Sequence, residues 1–298
     1  MTAVVLALNP SIDAEWRTAD VLWEEKNNVQ SERRWAGGKG INVARWLKHL
    51  GGHPQLLLPL GGATGRELAC YLRQERIPSR VTWLREPTRV NVIVTTSTGR
   101  QMRFNPLGPQ LVRAEWNDIA GEVLRRSARA GLLILSGSLP RGVPIDAYAR
   151  LVRQARQRGL KSLLDCDGPP FAAAVTARPF LVKPNEHELA QWWGRPLKSE
   201  AGILAAARAL SAKTRGWVLV SRGDKPAVLL NIGNAFAARL APPAVKPRNT
   251  VGAGDALFAS VALEILRGTS PDGWLRAGLA AGTAATQCEP GQLPAQRC

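Results

Sequence analysis

The stretch NTVGAGDALFAS at 249–260 sets two glycines around an alanine, adds an aspartate, and runs directly into an apolar helical pattern. Glycine permits tight turns and close ligand approach, and successive main-chain amides can converge on one anion. The helix-forming run from Ala256 to Leu266 puts Gly252, Ala253 and Gly254 where unpaired amides and the helix dipole meet. A phosphate is stabilised at such a point. Asp255 is the informative departure, because a carboxylate beside a phosphate is repulsive unless it handles a proton or a metal. Phosphoryl transfer to an alcohol resolves this. Asp255 takes the hydroxyl proton while the Gly252–Gly254 amides neutralise charge growing on the transferred group. On this motif alone the aspartate reads equally well as the cap of a core helix.

A second glycine cluster, WAGGKGIN at 35–42, precedes another helical pattern. Gly37 and Gly38 can bring amides to a sugar hydroxyl, Lys39 adds a cation, and Asn42 can both donate and accept. An ordinary helix-start turn is the plainer reading. Asp13 in NPSID can orient two neighbouring hydroxyls through its two oxygens, or act as a turn residue. In KPNEHE, Asn185 and Glu188 are three apart and share a helical face. Such hard oxygens suit water around Mg²⁺ near nucleotide phosphates, with local helix capping as the alternative. No GxxxxGK[ST] loop occurs, and no GxGxxG follows the first strand, which disfavours P-loop and dinucleotide chemistry.

The elements that must hold these residues alternate. AVVLALN (3–9), PQLLLPLGG (54–62), GLLILSG (131–137), LKSLLDCD (160–167), FLVKPN (180–185) and WVLVSRG (217–223) read as strands. Helical patterns cover 41–51, 65–76, 144–159, 199–216, 254–268 and 271–288, and another opens at EHELAQWW. AVLLNI and AFAARLA suit an antiparallel pair. Repeated strand–helix units predict an α/β sheet covered on both faces. The alternating regions at about 14–36 and 88–105 do not suit buried parallel strands, and the second reads as a hairpin around STG. Together they predict a small β-lid over a cleft at the carboxyl ends of the central strands.

Composition sets the outer bounds. With 298 residues, 45% of them apolar, the chain can bury a large core without staples. The N-terminus reads as a first strand rather than a signal peptide, and no run approaches the roughly 20 apolar residues of a membrane span. The four cysteines lack metal-site spacing, so a reducing cytoplasm is the expectation. Net charge is +17, from 40 Lys+Arg against 23 Asp+Glu. The basic residues are spread along the chain without a tail, finger spacing or RNA-binding aromatic signature, which disfavours a nucleic-acid partner and suits an anionic substrate.

Taken in order, NPSID, GGKGINVAR, GSLPRGVP, LVKPNEHEL and NTVGAGDA resemble the ribokinase-like carbohydrate kinase superfamily, from the first strand to about residue 286. More narrowly they resemble its phosphofructokinase and tagatose-6-phosphate kinase branch. LPLGGATGREL and the PPAVKPRNTVGAGD approach are similar to the minor-type, ATP-dependent 6-phosphofructokinases. The resemblance implies a three-layer α/β/α domain over 1–298 carrying the β-lid. It implies a base at Asp255, an anion hole at Gly252, Ala253 and Gly254, and acceptor contacts from Asp13, Gly37, Gly38 and Asn42. Asn185 and Glu188 would act on ATP and Mg²⁺, Glu188 through water.

In the phosphosugar branch an arginine opening an alternating strand binds the phosphate already present, and Arg89 in PTRVNVIV matches it. Lys39 is shared with many 1-phosphofructokinases. Arg103 is a second phosphate candidate or a solvated lid residue, and Asn105 a sugar contact where the lid returns. The family's nucleotide loop, VSLGxxG, is VSRGDKPA here. Ser221 and Gly223 are kept, whereas Arg222 replaces an apolar residue and Pro226 a glycine, removing an amide donor. The implied reaction is transfer from ATP to a ketohexose phosphate, fructose 6-phosphate first, with fructose 1-phosphate and tagatose 6-phosphate as geometric alternatives. Relatives pair through their lids, so a homodimer is expected. A non-catalytic, basic nucleotide- or nucleic-acid-binding protein on the same scaffold is the competing class. Joint retention of Asp13, Asn185, Glu188 and Asp255 weighs against it.

Overall fold

Strand β1 (Thr2–Leu6) sends alternate side chains into two different layers, as a period of two requires. Ala3 and Val5 join one apolar core, and Val4 and Leu6 the other. The computed structural model describes residues 2–295, and in it this strand lies inside a nine-stranded sheet. The other members are β4 (His53–Gly61), β5 (Ser79–Leu84), β8 (Leu132–Ser136), β9 (Ser162–Asp165), β10 (Leu181–Val182), β11 (Trp217–Val220), β12 (Ala227–Asn231) and β13 (Phe236–Leu240). Their order is β13-β12-β11-β10-β9-β8-β1-β4-β5. All neighbours are parallel except the β11–β12–β13 edge, where the expected antiparallel pair forms.

Helices cover both faces. One core includes apolar residues of α1 (Lys39–His49), α2 (Gly62–Gln74), α8 (Ala253–Arg267) and α9 (Pro271–Thr286). The other draws on α3 (Arg113–Ser127), α4 (Ala147–Gln157), α5 (Gly168–Val175), α6 (Glu186–Trp193) and α7 (Glu200–Thr214). The fold is therefore the three-layer α/β/α arrangement. No helix among the described residues is long and apolar enough to cross a membrane.

A separate four-stranded sheet has the order β3-β2-β6-β7, from β2 (Ser11–Thr18), β3 (Ser31–Gly37), β6 (Arg89–Thr96) and β7 (Gln101–Phe104). It matches the two segments read as leaving the main layer, with two refinements. β2 begins at Ser11, so Asp13 lies within this sheet rather than in a turn after β1. β2 and β6 also run parallel, joining the two segments directly, while β6 and β7 form the expected hairpin. In the large sheet β1 sits between β4 and β8, so the chain order reverses there and a crevice opens at the strands' carboxyl ends.

Candidate active site

The crevice at this reversal is a cleft of about 270 Å³. Asn9 and Pro10 follow β1, Gly137 and Ser138 follow β8, Gly38 and Lys39 open α1, and Arg89, Asn91 and Asn105 come from the small sheet and its exit. Gly38 takes φ 104, a left-handed backbone that suits glycine, and so turns β3 into α1. Beside it, a Cβ on Gly37 would overlap the carboxylate of Asp13, so only glycine lets this acid lie against the turn.

Strand register sets the partners of Asp13. The β2–β6 pairing puts Asp13 opposite Asn91, whose Nδ2 donates to Asp13 Oδ1 at 2.9 Å, and Ser11 Oγ donates to the same oxygen at 2.7 Å. Burial raises the Asp13 pKa, against the pull of those two bonds and of Arg89 and Arg45. Arg89 is half-buried in the cleft. Two of its nitrogens donate to the carbonyls of Pro106 (2.8 Å) and Asn9 (2.9 Å), and Nε is buried without a partner. Arg103 is exposed, donates to Gln101, and does not line the cleft.

Deeper in, α8 presents its N-terminus. Gly252 caps it with φ 81, again left-handed, and no side chain fills the cap. The N–H groups of Gly252, Ala253 and Gly254 have no acceptor among the described residues, so the amides that suggested an anion site stay available. Asp255, on the first turn, is 7% exposed. It does not cap its own helix, which sets the capping alternative aside, and it is not among the residues lining the 270 Å³ cleft. Asn42 Nδ2 donates to its Oδ2 at 2.8 Å, leaving Oδ1 unpaired. Burial, then the nearby Asp165 charge, pushes its pKa up to about 6, against Lys39, the Asn42 bond and Lys183.

Asn42 was read as a sugar contact, yet both ends of its amide are engaged by protein. Its Oδ1 accepts from Arg45 at 2.9 Å, and Arg45 is locked by Glu75 and the Ala36 carbonyl. Spacing of three on α1 lines Asn42 up with Arg45, so the amide is held between that arginine and Asp255.

Between the cleft and the anion hole lies a charged chain. Lys39 Nζ donates to Asp165 Oδ1 at 3.1 Å and to Glu188 Oε1 at 3.4 Å, and Lys183 Nζ is 3.4 Å from Asp165 Oδ2. Asp165 is fully buried; the upward push of burial is outweighed by Lys183 and Lys39, and its pKa falls below the usual value. For Lys39 the downward push of burial is outweighed by Asp165, Glu188 and Asp255, and its pKa rises. Lys183 also stands over the anion hole, because a Cβ on Gly254 would come 3.7 Å from its Nζ. Sequence reading passed over Asp165 and Lys183. The only available signal was the position of Lys183 in KPNEHE and of Asp165 at the end of LLD, both at strand ends facing the crevice.

Asn185 and Glu188 form a reciprocal capping box on α6: Asn185 Oδ1 accepts from Glu188 N–H, and Glu188 Oε2 from Asn185 N–H, both at 2.8 Å. The local alternative thus accounts for their spacing. With its other oxygen turned to Lys39, Glu188 offers no free oxygen, and no group of three or more His, Cys, Asp or Glu among the described residues could hold a metal. The residues present offer Mg²⁺ no direct protein shell, so the contact expected of Glu188 is one through water. Ser221 follows β11 and bridges to Pro184 and Glu186 through its main chain, with Gly223 two residues on. Arg222 is nearly buried, paired with Glu186 and Glu200 at 3.1 Å and with the Pro226 carbonyl. The cation that replaced an apolar residue therefore clamps α6 to α7 and the Pro226 turn.

A buried carboxylate on the first turn of a helix with free amides, linked through Lys183, Asp165 and Lys39 to a cleft at the reversal point of an α/β sheet, fits a sugar-kinase-type phosphotransferase scaffold. The chain belongs to the pfkB family of carbohydrate kinases, whose family model matches residues 7–298. It is 34% identical over 285 residues to the ATP-dependent 6-phosphofructokinase isozyme 2 of Escherichia coli K12, covering 94% of this chain and 91% of that protein. It is 36% identical over 272 residues to the 1-phosphofructokinase of Xanthomonas campestris pv. campestris, covering 89% and 85%. The structure of E. coli phosphofructokinase-2 in complex with fructose-6-phosphate superposes with a TM-score of 0.88 at 32% identity, covering 96% of this chain and 93% of that one.

Proposed function

We propose that this protein transfers the γ-phosphoryl group of ATP to a ketohexose phosphate, with fructose 6-phosphate as the preferred acceptor and fructose 1,6-bisphosphate as the product. The observation that carries the reading is Asp255, fixed through Oδ2 by Asn42 with Oδ1 unpaired, next to three amides without acceptors. With its pKa near 6 the carboxylate is ionised at neutral pH and can take a hydroxyl proton. As the sugar oxygen attacks the γ-phosphorus, the bond to the leaving ADP oxygen breaks, and the amides of 252–254 stabilise the transferred group. Lys183 and Lys39 place positive charge along the same path.

On the acceptor side, Asp13 and Asn91 orient sugar hydroxyls, Arg89 faces the existing phosphate from the cleft wall, and Asn105 lies at the rim. Guanidinium geometry suits a phosphate because two donors can meet two oxygens. ATP enters beside α6 and the Ser221–Gly223 turn, and any Mg²⁺ comes with the nucleotide rather than from a protein-held site. The small sheet covers the cleft and limits hydrolysis by water. Its exposed Trp16 and Phe104, with Trp23 in the β2–β3 connection, favour pairing with a second copy through this sheet. Trp16→Glu is expected to convert dimers to monomers in sedimentation velocity.

A coupled ADP-release assay with fructose 6-phosphate, fructose 1-phosphate and tagatose 6-phosphate tests the reaction. Absence of sugar-dependent ADP release ends the kinase reading. A second reading, 1-phosphofructokinase, is favoured by Lys39 and by the Xanthomonas relative. Faster turnover of fructose 1-phosphate would establish it in place of the first.

A further inference from the structure

Where the strands of the large sheet begin, at the edge opposite the active-site crevice, lies a cleft of about 410 Å³. Lys48, His53, Arg76, Arg126 and Arg129 line it, and no carboxylate does. These side chains come from the end of α1, the start of β4, the α2–β5 turn, the end of α3 and the α3–β8 turn. Two acids lie beside the cleft's residues, and one of them, Glu122, is paired with the cleft's own Arg126. Glu75 gives both oxygens to Arg45, and Glu122 is held by Arg125 and Arg126. Lys48 donates to the Glu75 carbonyl. The guanidinium groups of Arg76 and Arg129 have no hydrogen bond or ion pair among the described residues.

Arg76 also sits at φ 52, immediately past the cap of α2. Glycine is the residue such a left-handed turn favours; main-chain bonds from Arg76 to Arg73 and from Ile77 to Leu72 close the turn, but the Arg76 side chain finds no partner among the described residues. Cations at helix C-termini do complement the helix dipoles, which accounts for Lys48 and Arg126. It does not account for a concave site lined by five basic side chains and no carboxylate.

We propose that this cleft is a second anion site, for a compact ligand carrying two or more phosphate groups. Its volume falls in the range of small-molecule sites, and arginine forks match phosphate oxygens in pairs. Thr2 lines this cleft and Ala7 lines the active-site one. Five residues of extended chain separate them by roughly 17 Å, so one ligand cannot fill both.

Calorimetric titration of the full protein with inorganic pyrophosphate at fixed ionic strength tests the site without requiring turnover, so its outcome is independent of the proposed reaction. Arg76→Gly and Arg129→Ser are each expected to weaken pyrophosphate binding about tenfold while kinase turnover stays unchanged. Arg76→Gly is expected to raise the melting temperature of the ligand-free protein. Unchanged affinity in both variants would put the anion in the catalytic crevice and overturn the proposal, as would no binding above the ionic-strength control. Equal affinity for orthophosphate would overturn the requirement for two phosphates. A lower melting temperature for Arg76→Gly would show that the arginine is there for the fold.

Discussion

Asn42 Nδ2 donates to Asp255 Oδ2 across 2.8 Å while its own Oδ1 receives Arg45, so one amide links a carboxylate on α8 to an arginine on α1. The link leaves a single oxygen of Asp255 free, which decides where a proton can be received. Asn42→Ala removes this orientation without touching the amides of 252–254. It is expected to lower kcat by about 10- to 100-fold with a smaller change in KM, as loss of an aligned base should. Steady-state kinetics on the preferred phosphosugar check it; an unchanged kcat would leave Asn42 as packing only.

The buried Asp255 is costly to the fold. Its pKa rises from 3.8 to about 6, so the folded state binds this proton more tightly than the unfolded state. Stability from this group is therefore greatest at low pH, falls as pH rises from about 4 to 6, and above that the carboxylate opposes folding by about 3 kcal/mol. Asp255→Asn is expected to regain part of that, about 1–2 kcal/mol in urea unfolding at pH 7.5. It should lose turnover by about 10²- to 10⁴-fold. A less stable variant would show that the charge is better compensated than its surroundings indicate.

The same titration shapes the rate. Protonation removes the acceptor for the hydroxyl proton, so kcat/KM is expected to fall about tenfold per pH unit below about 6. Asn42→Asp, which sets a second carboxylate beside Asp255, should move that limb to higher pH. Rate profiles between pH 5 and 8 for both proteins measure it, and coincident limbs would remove Asp255 from the role of base.

Lys183 and Asp165 are both buried, and among the described residues Lys39 is the only other cation paired with that acid. Lys183→Met should destabilise by about 3 kcal/mol, the low end for breaking a buried pair, because Lys39 still compensates. It should also raise KM for ATP, since an ammonium over the anion hole is lost. Denaturant unfolding and nucleotide titration read the two effects separately.

The large parallel sheet was legible because each of its inner strands is a short apolar run bounded by turn residues, and α8 because glycines bracket it. Three elements were not, the first being α3, whose buried stripe of Trp116, Ile119 and Val123 is sparse among charged residues and whose N-cap, Val112, is apolar. β5, SRVTWL, is an edge strand whose half-exposed side chains show no apolar run, and α5, GPPFAAAV, is short and begins with two prolines. The family resemblance pointed to Arg89, which lines the cleft, and the local motifs NPSID and GGKGIN pointed to Asp13 and Gly37, which pack against each other beside it. Asp165 and Lys183 could not be found this way, since a pair made by the ends of adjacent strands leaves no spacing to read. The Asn42–Asp255 bond was equally hidden, because its two ends lie 213 residues apart on different helices. Glu188 was read as acting on Mg²⁺ through water, with local capping as the alternative, and the structure shows the capping box formed with Asn185.

The parallel pairing of β2 with β6 has an evolutionary consequence. These strands come from opposite sides of the α1–β4–α2–β5 unit, so no continuous cut of the gene excises the cover. A graft of residues 11–37 alone would carry two strands and expose the side of β2 where β6 belongs. Chimeras that exchange substrate preference between relatives must therefore trade both pieces at once, with the Ser11–Arg89 register kept.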